Sequence, residues 1–153
     1  MADSKYYIRN IALTAVTIVA IGAIIYTSFT QKDGYQNLSV QEVNERIQSD
    51  TNDFVLIDVR TLGEYTGKLG HLGDARLYPV QNLDIQYHEL EQYQEEEKDI
   101  ILYCRSGNRS RRAAEFLRKN GFENLFNMEG GMRAWNAEYG RPENSDTPPP
   151  NME

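Results

Sequence analysis

The strongest constraint on the fold lies in residues 100–112, where an apolar run leads into the only cysteine of the chain and then into a helical pattern. Ile100-Ile101-Leu102-Tyr103 is a short, continuous apolar run, which is typical of a buried strand. Cys104 follows, then a polar loop, and then apolar residues at helical spacing that end near Gly121. The sequence therefore predicts that Cys104 lies at the end of a strand, where a loop leads into the amino end of a helix.

A cysteine in this position is predicted to be a nucleophile. Unpaired backbone N–H groups and the positive end of the helix dipole favour an anion there, and a thiolate is such an anion. Gly107 permits a left-handed turn that lets successive N–H groups point inward. The alternative is a buried structural cysteine, which is the usual role of a lone cysteine but fits poorly with so polar a loop.

Four arginines surround this cysteine in the sequence: Arg105, Arg109, Arg111 and Arg112. Basic residues are usually favourable near the carboxyl end of a helix rather than its amino end. The chain as a whole has a net charge of −7, which argues against nucleic-acid binding. The local positive charge therefore favours a small anionic ligand over an ordinary solvated start of a helix.

Short apolar runs alternate with helical patterns between residues 39 and 140. The predicted strands are 54–59, 75–78, 100–103 and 125–127, and the main predicted helices are 40–47, 83–90, 109–120 and 132–138. This alternation indicates an α/β domain with a parallel sheet and helices on both faces. Ligands of such sheets bind at the carboxyl ends of the strands, where Cys104 is expected.

The two ends of the chain have a different character. Residues 1–30 include an uncharged stretch, 11–29, which as a helix would be about 30 Å long and match the hydrocarbon core of a bilayer. We expect one transmembrane helix; a cleaved signal peptide, for which no Ala-x-Ala site is seen, and a buried helix are the alternatives. Residues 31–38 are expected to form a linker, and the proline-rich residues 141–153 a disordered tail.

The orientation of this anchor follows from the basic residues beside it. Lys5 and Arg9 precede the apolar stretch, whereas Lys32 alone follows it closely. Because positive residues stay in the cytoplasm, we expect the Cys104 domain outside the cytoplasm, and in the periplasm of a double-membraned bacterium. A domain on the cytoplasmic face and a domain secreted after signal cleavage remain alternatives.

Four motifs, in order along the chain, resemble those of rhodanese domains, which are sulfurtransferases. Tyr103-Cys104-Arg105-Ser106-Gly107-Asn108-Arg109-Ser110 resembles the active-site loop of that family. The other three are residues 56–65, residues 70–75, which resemble a Gly-His-Ile-x-Gly-Ala turn, and residues 127–135, which resemble the carboxyl-terminal signature. The resemblance covers about Ser39 to Tyr139 and implies a rhodanese-like fold with Cys104 as the catalytic residue.

The length of the loop distinguishes between two reactions. Arg109 is the fifth residue after Cys104, giving Cys-x4-Arg, whereas phosphatases and arsenate reductases of this general design have Cys-x5-Arg. The longer loop fits a tetrahedral oxyanion, and a shorter loop makes a smaller cradle, suited to a single terminal sulfur on Cys104. In the resembling family, six-residue loops accompany sulfur transfer, so sulfur transfer is favoured over phosphatase activity.

These observations predict a sulfurtransferase that carries sulfane sulfur as a persulfide on Cys104. The donor is a small anion such as thiosulfate, and the acceptor is a thiol, which can belong to a protein. The expected donor-binding residues are Arg105, Ser106, Gly107, Asn108 and Arg109. A membrane-tethered persulfide carrier or docking module with little turnover is the alternative, and the presence of Cys104 argues against an inactive interaction domain.

The remaining polar residues are expected to be structural. Asp58 and Arg60 are predicted to form an ion pair near the site, with direct contact between Arg60 and the donor as the alternative. A single cysteine excludes an internal disulfide and a multi-cysteine zinc or iron–sulfur site, and His71 and His88 lack metal-ligand spacing. No metal or organic cofactor is expected.

Overall fold

A computed structural model describes residues 34–49, 51–143 and 145–152. Five parallel strands form one sheet in the order β1-β5-β4-β2-β3. The strands are β1 (Gln36–Leu38), β2 (Phe54–Asp58), β3 (Arg76–Leu77), β4 (Asp99–Tyr103) and β5 (Leu125–Met128). The helices are α1 (Val40–Gln48), α2 (Leu62–Tyr65), α3 (Leu83–Gln86), α4 (Glu91–Glu95), α5 (Asn108–Lys119) and α6 (Gly131–Tyr139), with 3-10 turns at Tyr87–Leu90 and Pro150–Met152.

Strand β4 is the centre of the sheet and contributes to a hydrophobic core on each face. Ile100 and Leu102 pack in the core that α5 covers, whereas Ile101 and Tyr103 pack in the core that α1 and α6 cover. Successive side chains of a strand point to opposite faces, so a run buried on both faces must be apolar throughout. The predicted parallel α/β domain with helices on both faces is confirmed.

The register of the sheet brings the functional candidates to one edge. Asp58 at the end of β2 pairs with Tyr103 at the end of β4, and Leu102 pairs with Asn127 in β5. Residues directly after these strands therefore lie side by side at the carboxyl edge. Cys104 directly follows β4, and Arg60 is the second residue after β2.

Residues 36–38, which lie in the predicted linker, form the edge strand β1. Leu38 is buried and pairs with Met128, while Gln36 and Asn37 are exposed. An edge strand of three residues with one buried side chain leaves no apolar run in the sequence, which explains why composition indicated a linker.

The carboxyl-terminal residues differ from the expected disordered tail. Residues 150–152 form a 3-10 turn that packs against β3, where Asn151 forms two hydrogen bonds with the backbone of Leu77. The Asn151 side chain accepts from the Leu77 N–H and donates to the Leu77 carbonyl, each at 2.9 Å, so its amide takes the place of a neighbouring strand. Ser145 is fully buried. The proline content that predicted disorder here is compatible with an extended segment.

The predicted transmembrane segment, residues 11–29, lies outside the described residues. In the part of the chain that the structure describes, we find no helix with the length and apolar character needed to cross a membrane.

Candidate functional site

Cys104 follows β4 directly and lies under a tight loop. The residue is 1% exposed, and the backbone N–H of Gly107 donates a hydrogen bond to its Sγ at 3.2 Å. Gly107 has a φ of +88°, a left-handed conformation that a residue with a Cβ rarely adopts. This turn folds the loop back over the sulfur, and α5 begins at the next residue. The strand, loop and helix expected from the sequence are all present.

Ser110, in the first turn of α5, also contacts the sulfur. Its hydroxyl is fully buried and lies 3.5 Å from the Cys104 Sγ, 3.1 Å from the Gly107 carbonyl and 2.7 Å from the Asn127 Oδ1. Neither Ser110 nor Asn127 was among the site residues expected from the sequence. Both belong to the motifs that resemble the rhodanese family, but nothing in their spacing indicated that they meet.

The surroundings of Cys104 favour its thiolate form. Burial raises the pKa of the thiol, but hydrogen bonds from the Ser110 hydroxyl and from the backbone N–H groups of Ser110, Ser106 and Arg109 outweigh that effect. The pKa of Cys104 is therefore lower than its ordinary value. A larger thiolate fraction at neutral pH makes the sulfur a stronger nucleophile.

The arginines near Cys104 have different environments. Arg105, beside the cysteine, is exposed, and Arg111 pairs with Glu115 on the outer face of α5 at 2.6 Å. Arg109 is half-buried, and its guanidinium makes two hydrogen bonds to the Glu64 carboxylate at 2.7 and 2.6 Å. The sequence predicts Arg109 as a donor-binding side chain, and the structure adds that its charge is shared with Glu64 of α2.

The ion pair expected between Asp58 and Arg60 is present and buried. Arg60 Nε lies 2.9 Å from both carboxylate oxygens of Asp58, and its Nη2 lies 2.6 Å from Asp58 Oδ2. Arg60 Nη2 also donates to the Gly70 carbonyl at 2.7 Å. Through these bonds Arg60 connects the loop after β2 to residue 70. Because Arg60 is fully buried, it has no solvent-exposed surface to offer a donor.

The amino end of α6 supports the loop from the other side. The N–H groups of Met132 and Arg133 donate to the carbonyls of Cys104 and Arg105 at 2.9 and 3.0 Å. A Cβ at Gly131 would lie 2.3 Å from the Cys104 carbonyl oxygen, so only glycine permits this close approach. The Cys104 and Arg105 carbonyls thus point into α6, whereas the Gly107 N–H faces the sulfur.

A shallow cleft of about 250 Å³ lies beside the loop. Ser106, Gly107 and Asn108 line one side, and Asn127 and Glu129 are among the residues that line the rest. A larger cleft of about 360 Å³, lined by Phe54 and Lys98 among others, lies at the opposite ends of the strands and is remote from Cys104. Among the described residues, no group of three or more His, Cys, Asp or Glu side chains is arranged to hold a metal.

Comparisons with known proteins agree with this geometry. A family model described as "Rhodanese-like domain" matches residues 39–138. A sulfurtransferase of Allochromatium vinosum is 33% identical over 102 residues, which are 67% of this chain and 88% of that protein. The thiosulfate sulfurtransferase GlpE of Pseudoalteromonas translucida is 30% identical over 105 residues, 69% of this chain and 92% of that protein.

Solved structures show the same fold. The rhodanese-related protein of Thermoplasma volcanium is 29% identical, with a TM-score of 0.58 over 71% of this chain and 96% of that one. Several tRNA uridine(34) hydroxylases are also similar, but the chain spans only 30% of the length of the one from Cronobacter sakazakii. Similarity to these longer proteins therefore concerns one part of them.

Proposed function

The chain belongs to the rhodanese-like domain family, and from this premise we propose that it is a sulfurtransferase that moves sulfane sulfur from a donor such as thiosulfate to a thiol through a persulfide on Cys104. The observation that carries the proposal is the buried Cys104 sulfur, which accepts the Gly107 N–H at 3.2 Å within a six-residue loop. Relatives named as sulfurtransferases, one of them a thiosulfate sulfurtransferase, are matched over 88% and 92% of their own length and support it.

In the first step, the Cys104 thiolate attacks the outer sulfur of thiosulfate. A bond forms between Sγ and that sulfur, the sulfur–sulfur bond of thiosulfate breaks, and its electron pair leaves with sulfite. The negative charge of Cys104 moves to the outer sulfur of the new persulfide. In this proposal the backbone N–H groups of residues 105–109 hold that sulfur, while α6 binds the Cys104 and Arg105 carbonyls.

In the second step, the thiolate of the acceptor attacks the outer sulfur of the persulfide. The bond from that sulfur to Sγ breaks, its electron pair returns to Cys104, and the acceptor leaves as a persulfide. The Gly107 N–H and the Ser110 hydroxyl stabilise the regenerated thiolate as it leaves. No cofactor enters either step.

The cationic side chains of the site serve the donor in this proposal. Arg105 is exposed beside Cys104 and attracts the anion, and Arg109 adds positive charge that Glu64 partly neutralises. Arg109→Ala should raise the Michaelis constant for thiosulfate more than it lowers thermal stability. Equal kinetics for this variant and the unchanged protein would assign Arg109 to the architecture of the loop alone.

The direct test is mass spectrometry of the purified protein after exposure to thiosulfate. We expect a mass increase of one sulfur atom on Cys104, which a thiol then removes, and no increase in Cys104→Ser. Sulfur transfer by Cys104→Ser would contradict the proposal. Complete single-turnover transfer with very slow steady-state turnover would indicate a persulfide carrier rather than an enzyme.

The membrane anchor is a separate proposal that depends on sequence alone. Residues 11–29 form the anchor, with Lys5 and Arg9 in the cytoplasm and Cys104 outside it. In intact spheroplasts that carry a carboxyl-terminal tag, added protease should destroy the tag. A tag that survives until the membrane is permeabilised would place the domain inside and contradict this orientation.

A further inference from the structure

A chain of hydrogen-bonded polar side chains leads from the buried Cys104 sulfur to the edge of the sheet. It consists of Cys104, Ser110, Asn127 and Asn37. The Ser110 hydroxyl is 3.5 Å from Sγ and 2.7 Å from the Asn127 Oδ1, and the Asn127 Nδ2 donates to the Asn37 Oδ1 at 2.9 Å. Asn127 is 3% exposed, whereas Asn37 is exposed on β1.

The sheet register explains why these side chains meet. Asn37 and Asn127 are paired residues on the neighbouring strands β1 and β5, and Asn127 pairs with Leu102 on β4. Leu102 and Leu125 lie in the core under α5, so Asn127, two residues after Leu125, faces the same helix. A polar residue at this buried position needs hydrogen-bond partners, and Ser110 and Asn37 supply them.

The Ser110 hydroxyl has more acceptors than protons. It carries one proton, and three acceptors lie around it: the Cys104 sulfur, the Gly107 carbonyl and the Asn127 Oδ1. A thiolate is the strongest acceptor of the three because it is charged. A neutral thiol, or the inner sulfur of a persulfide, accepts a hydrogen bond only weakly. In those forms the Asn127 oxygen is the better acceptor, because it lies 2.7 Å from the Ser110 hydroxyl whereas Sγ lies 3.5 Å from it.

We propose that Asn127 is a positioning residue that accepts a hydrogen bond from the Ser110 hydroxyl whenever the Cys104 sulfur is uncharged and releases that hydroxyl to the sulfur when the sulfur becomes a thiolate. In the sulfurtransferase reaction, on which the functional part of this inference rests, the charge leaves Sγ in the first step and returns in the second. In the loaded form the Asn127 oxygen adds to the Gly107 carbonyl as an acceptor of the hydroxyl and so stabilises that form.

Other charged groups lie on the elements that surround this site. They lie on the loop and α5, on α2, after β2, in the turn after β5 and on α6: Arg105, Arg109, Arg111, Arg112, Glu64, Asp58, Arg60, Glu129 and Arg133. The neutral His71 and Tyr103 lie near the buried Asp58–Arg60 pair. All of them are unchanged in the variants below, so their effects on Cys104 cancel in the comparison.

The experiment measures the rate of alkylation of Cys104 by iodoacetamide as a function of pH, because the protein has a single cysteine. Asn127→Leu removes the alternate acceptor and destabilises the thiol form, so the pH midpoint should fall by about half a unit to one unit, the size that one net hydrogen bond implies. Ser110→Ala removes a donor to the thiolate and should raise the midpoint. In the Ser110→Ala background, Asn127→Leu should change nothing.

Asn37→Ala gives a second route to the same answer at an exposed position that tolerates change. It removes the acceptor of the Asn127 Nδ2, so the amide can turn that group toward Ser110 and leave the hydroxyl proton to the sulfur; the midpoint should again fall. Asn136→Leu, which loses half-buried amide bonds to Leu69 and Met132 on the opposite face, is the matched control and should leave the midpoint unchanged.

Three outcomes would overturn the inference: no shift in Asn127→Leu, an upward shift, or a downward shift that persists in the Ser110→Ala background. If Asn127→Leu does not fold, Asn37→Ala alone decides, and an unchanged or raised midpoint rejects the proposal. Alkylation does not require sulfur transfer, so the two proposals are tested separately. The alkylation test can reject the role of Asn127 while the persulfide test supports sulfur transfer, and the alkylation test can support that role while the persulfide test rejects sulfur transfer.

Discussion

The guanidinium of Arg109 and the carboxylate of Glu64 are joined by two parallel hydrogen bonds of 2.7 and 2.6 Å, although 45 positions separate them in the sequence. Arg109 ends the six-residue loop of Cys104, and Glu64 lies in α2, directly after the loop that follows β2. Glu64 also accepts from the Thr61 backbone N–H and so completes the cap of α2. The shape of the loop around the sulfur therefore depends on a carboxylate from another segment.

The first prediction concerns the charge that Glu64 contributes to the site. Glu64→Gln keeps an oxygen that can accept from Arg109 and Thr61 but removes the negative charge. The Michaelis constant for thiosulfate should fall several-fold, because Arg109 then attracts the anion without a competing carboxylate. The free energy of unfolding should fall by about 1 kcal/mol, the upper range for a half-exposed pair.

Steady-state kinetics and urea unfolding check this prediction. Glu115→Gln is the matched control, because it removes the partner of Arg111 on the outer face of α5. It should change neither the Michaelis constant nor the stability by a measurable amount. An unchanged or increased Michaelis constant in Glu64→Gln would show that the pair acts on the loop geometry and not on donor charge.

The second prediction is the pH dependence of the same pair. The hydrogen bonds from Arg109 lower the pKa of Glu64 from 4.5 to about 2. A carboxyl group with a lower pKa in the folded state stabilises the protein above its unfolded pKa and loses that contribution as pH falls through the folded value. The stability difference between the unchanged protein and Glu64→Gln should be constant at neutral pH and decline from about pH 4.5 toward pH 2.

Urea unfolding of both proteins across this range is the measurement. Other carboxylates, such as Glu42, titrate in both proteins and cancel in the difference. Since Glu64 is partly exposed, solvent screening keeps the difference modest. A difference that does not change between pH 7 and pH 2 would mean that the bond to Arg109 contributes nothing to stability.

Much of this fold is predictable from local patterns, and the unpredicted parts share a physical reason. Strands β2 and β4 are buried on both faces, so their sequences are continuous apolar runs, and the Cys104 loop ends in a helical pattern. Edge strand β1 buries only Leu38 and leaves no such pattern. The periodicity of apolar residues indicates which side chains of an element are buried. It does not indicate an edge strand that is stabilised mainly by backbone hydrogen bonds.

The contacts within the site are likewise set by tertiary structure. The pairs Glu64–Arg109 and Ser110–Asn127 join residues 45 and 17 positions apart. Sequence alone placed an anion at the amino end of α5 from backbone geometry and dipole, which depend only on neighbours in the chain. The side chains that surround Cys104 and Arg109 are determined by the sheet register, because it brings the carboxyl ends of β2, β4 and β5 to one edge.

The third prediction concerns the carboxyl-terminal segment. Asn151→Ala removes both hydrogen bonds to the Leu77 backbone and should lower the free energy of unfolding by about 1–2 kcal/mol, because each net bond contributes roughly 1 kcal/mol. Thermal unfolding measures the loss. The neighbouring Met152→Ala, an exposed side chain, is the control and should have no effect. Equal melting temperatures for the two variants would show that this segment does not stabilise β3.

The last prediction tests whether α6 holds the Cys104 loop in place. Gly131 and Gly121 both have positive φ, +56° and +89°, so alanine introduces backbone strain of roughly 1–2 kcal/mol at either position. Their surroundings differ: a Cβ at Gly131 would lie 2.3 Å from the Cys104 carbonyl oxygen and 2.8 Å from the Ser106 nitrogen, whereas nothing lies within 4 Å at Gly121. Gly131→Ala must therefore displace the loop, while Gly121→Ala leaves it in place.

Displacement of the reacting group by about 1 Å can cost roughly 100-fold in rate. We therefore expect a loss of that order in kcat/KM for Gly131→Ala and nearly unchanged kinetics for Gly121→Ala, with both proteins destabilised. Comparable activity in the two folded variants would show that sulfur transfer does not depend on the contact between α6 and the loop.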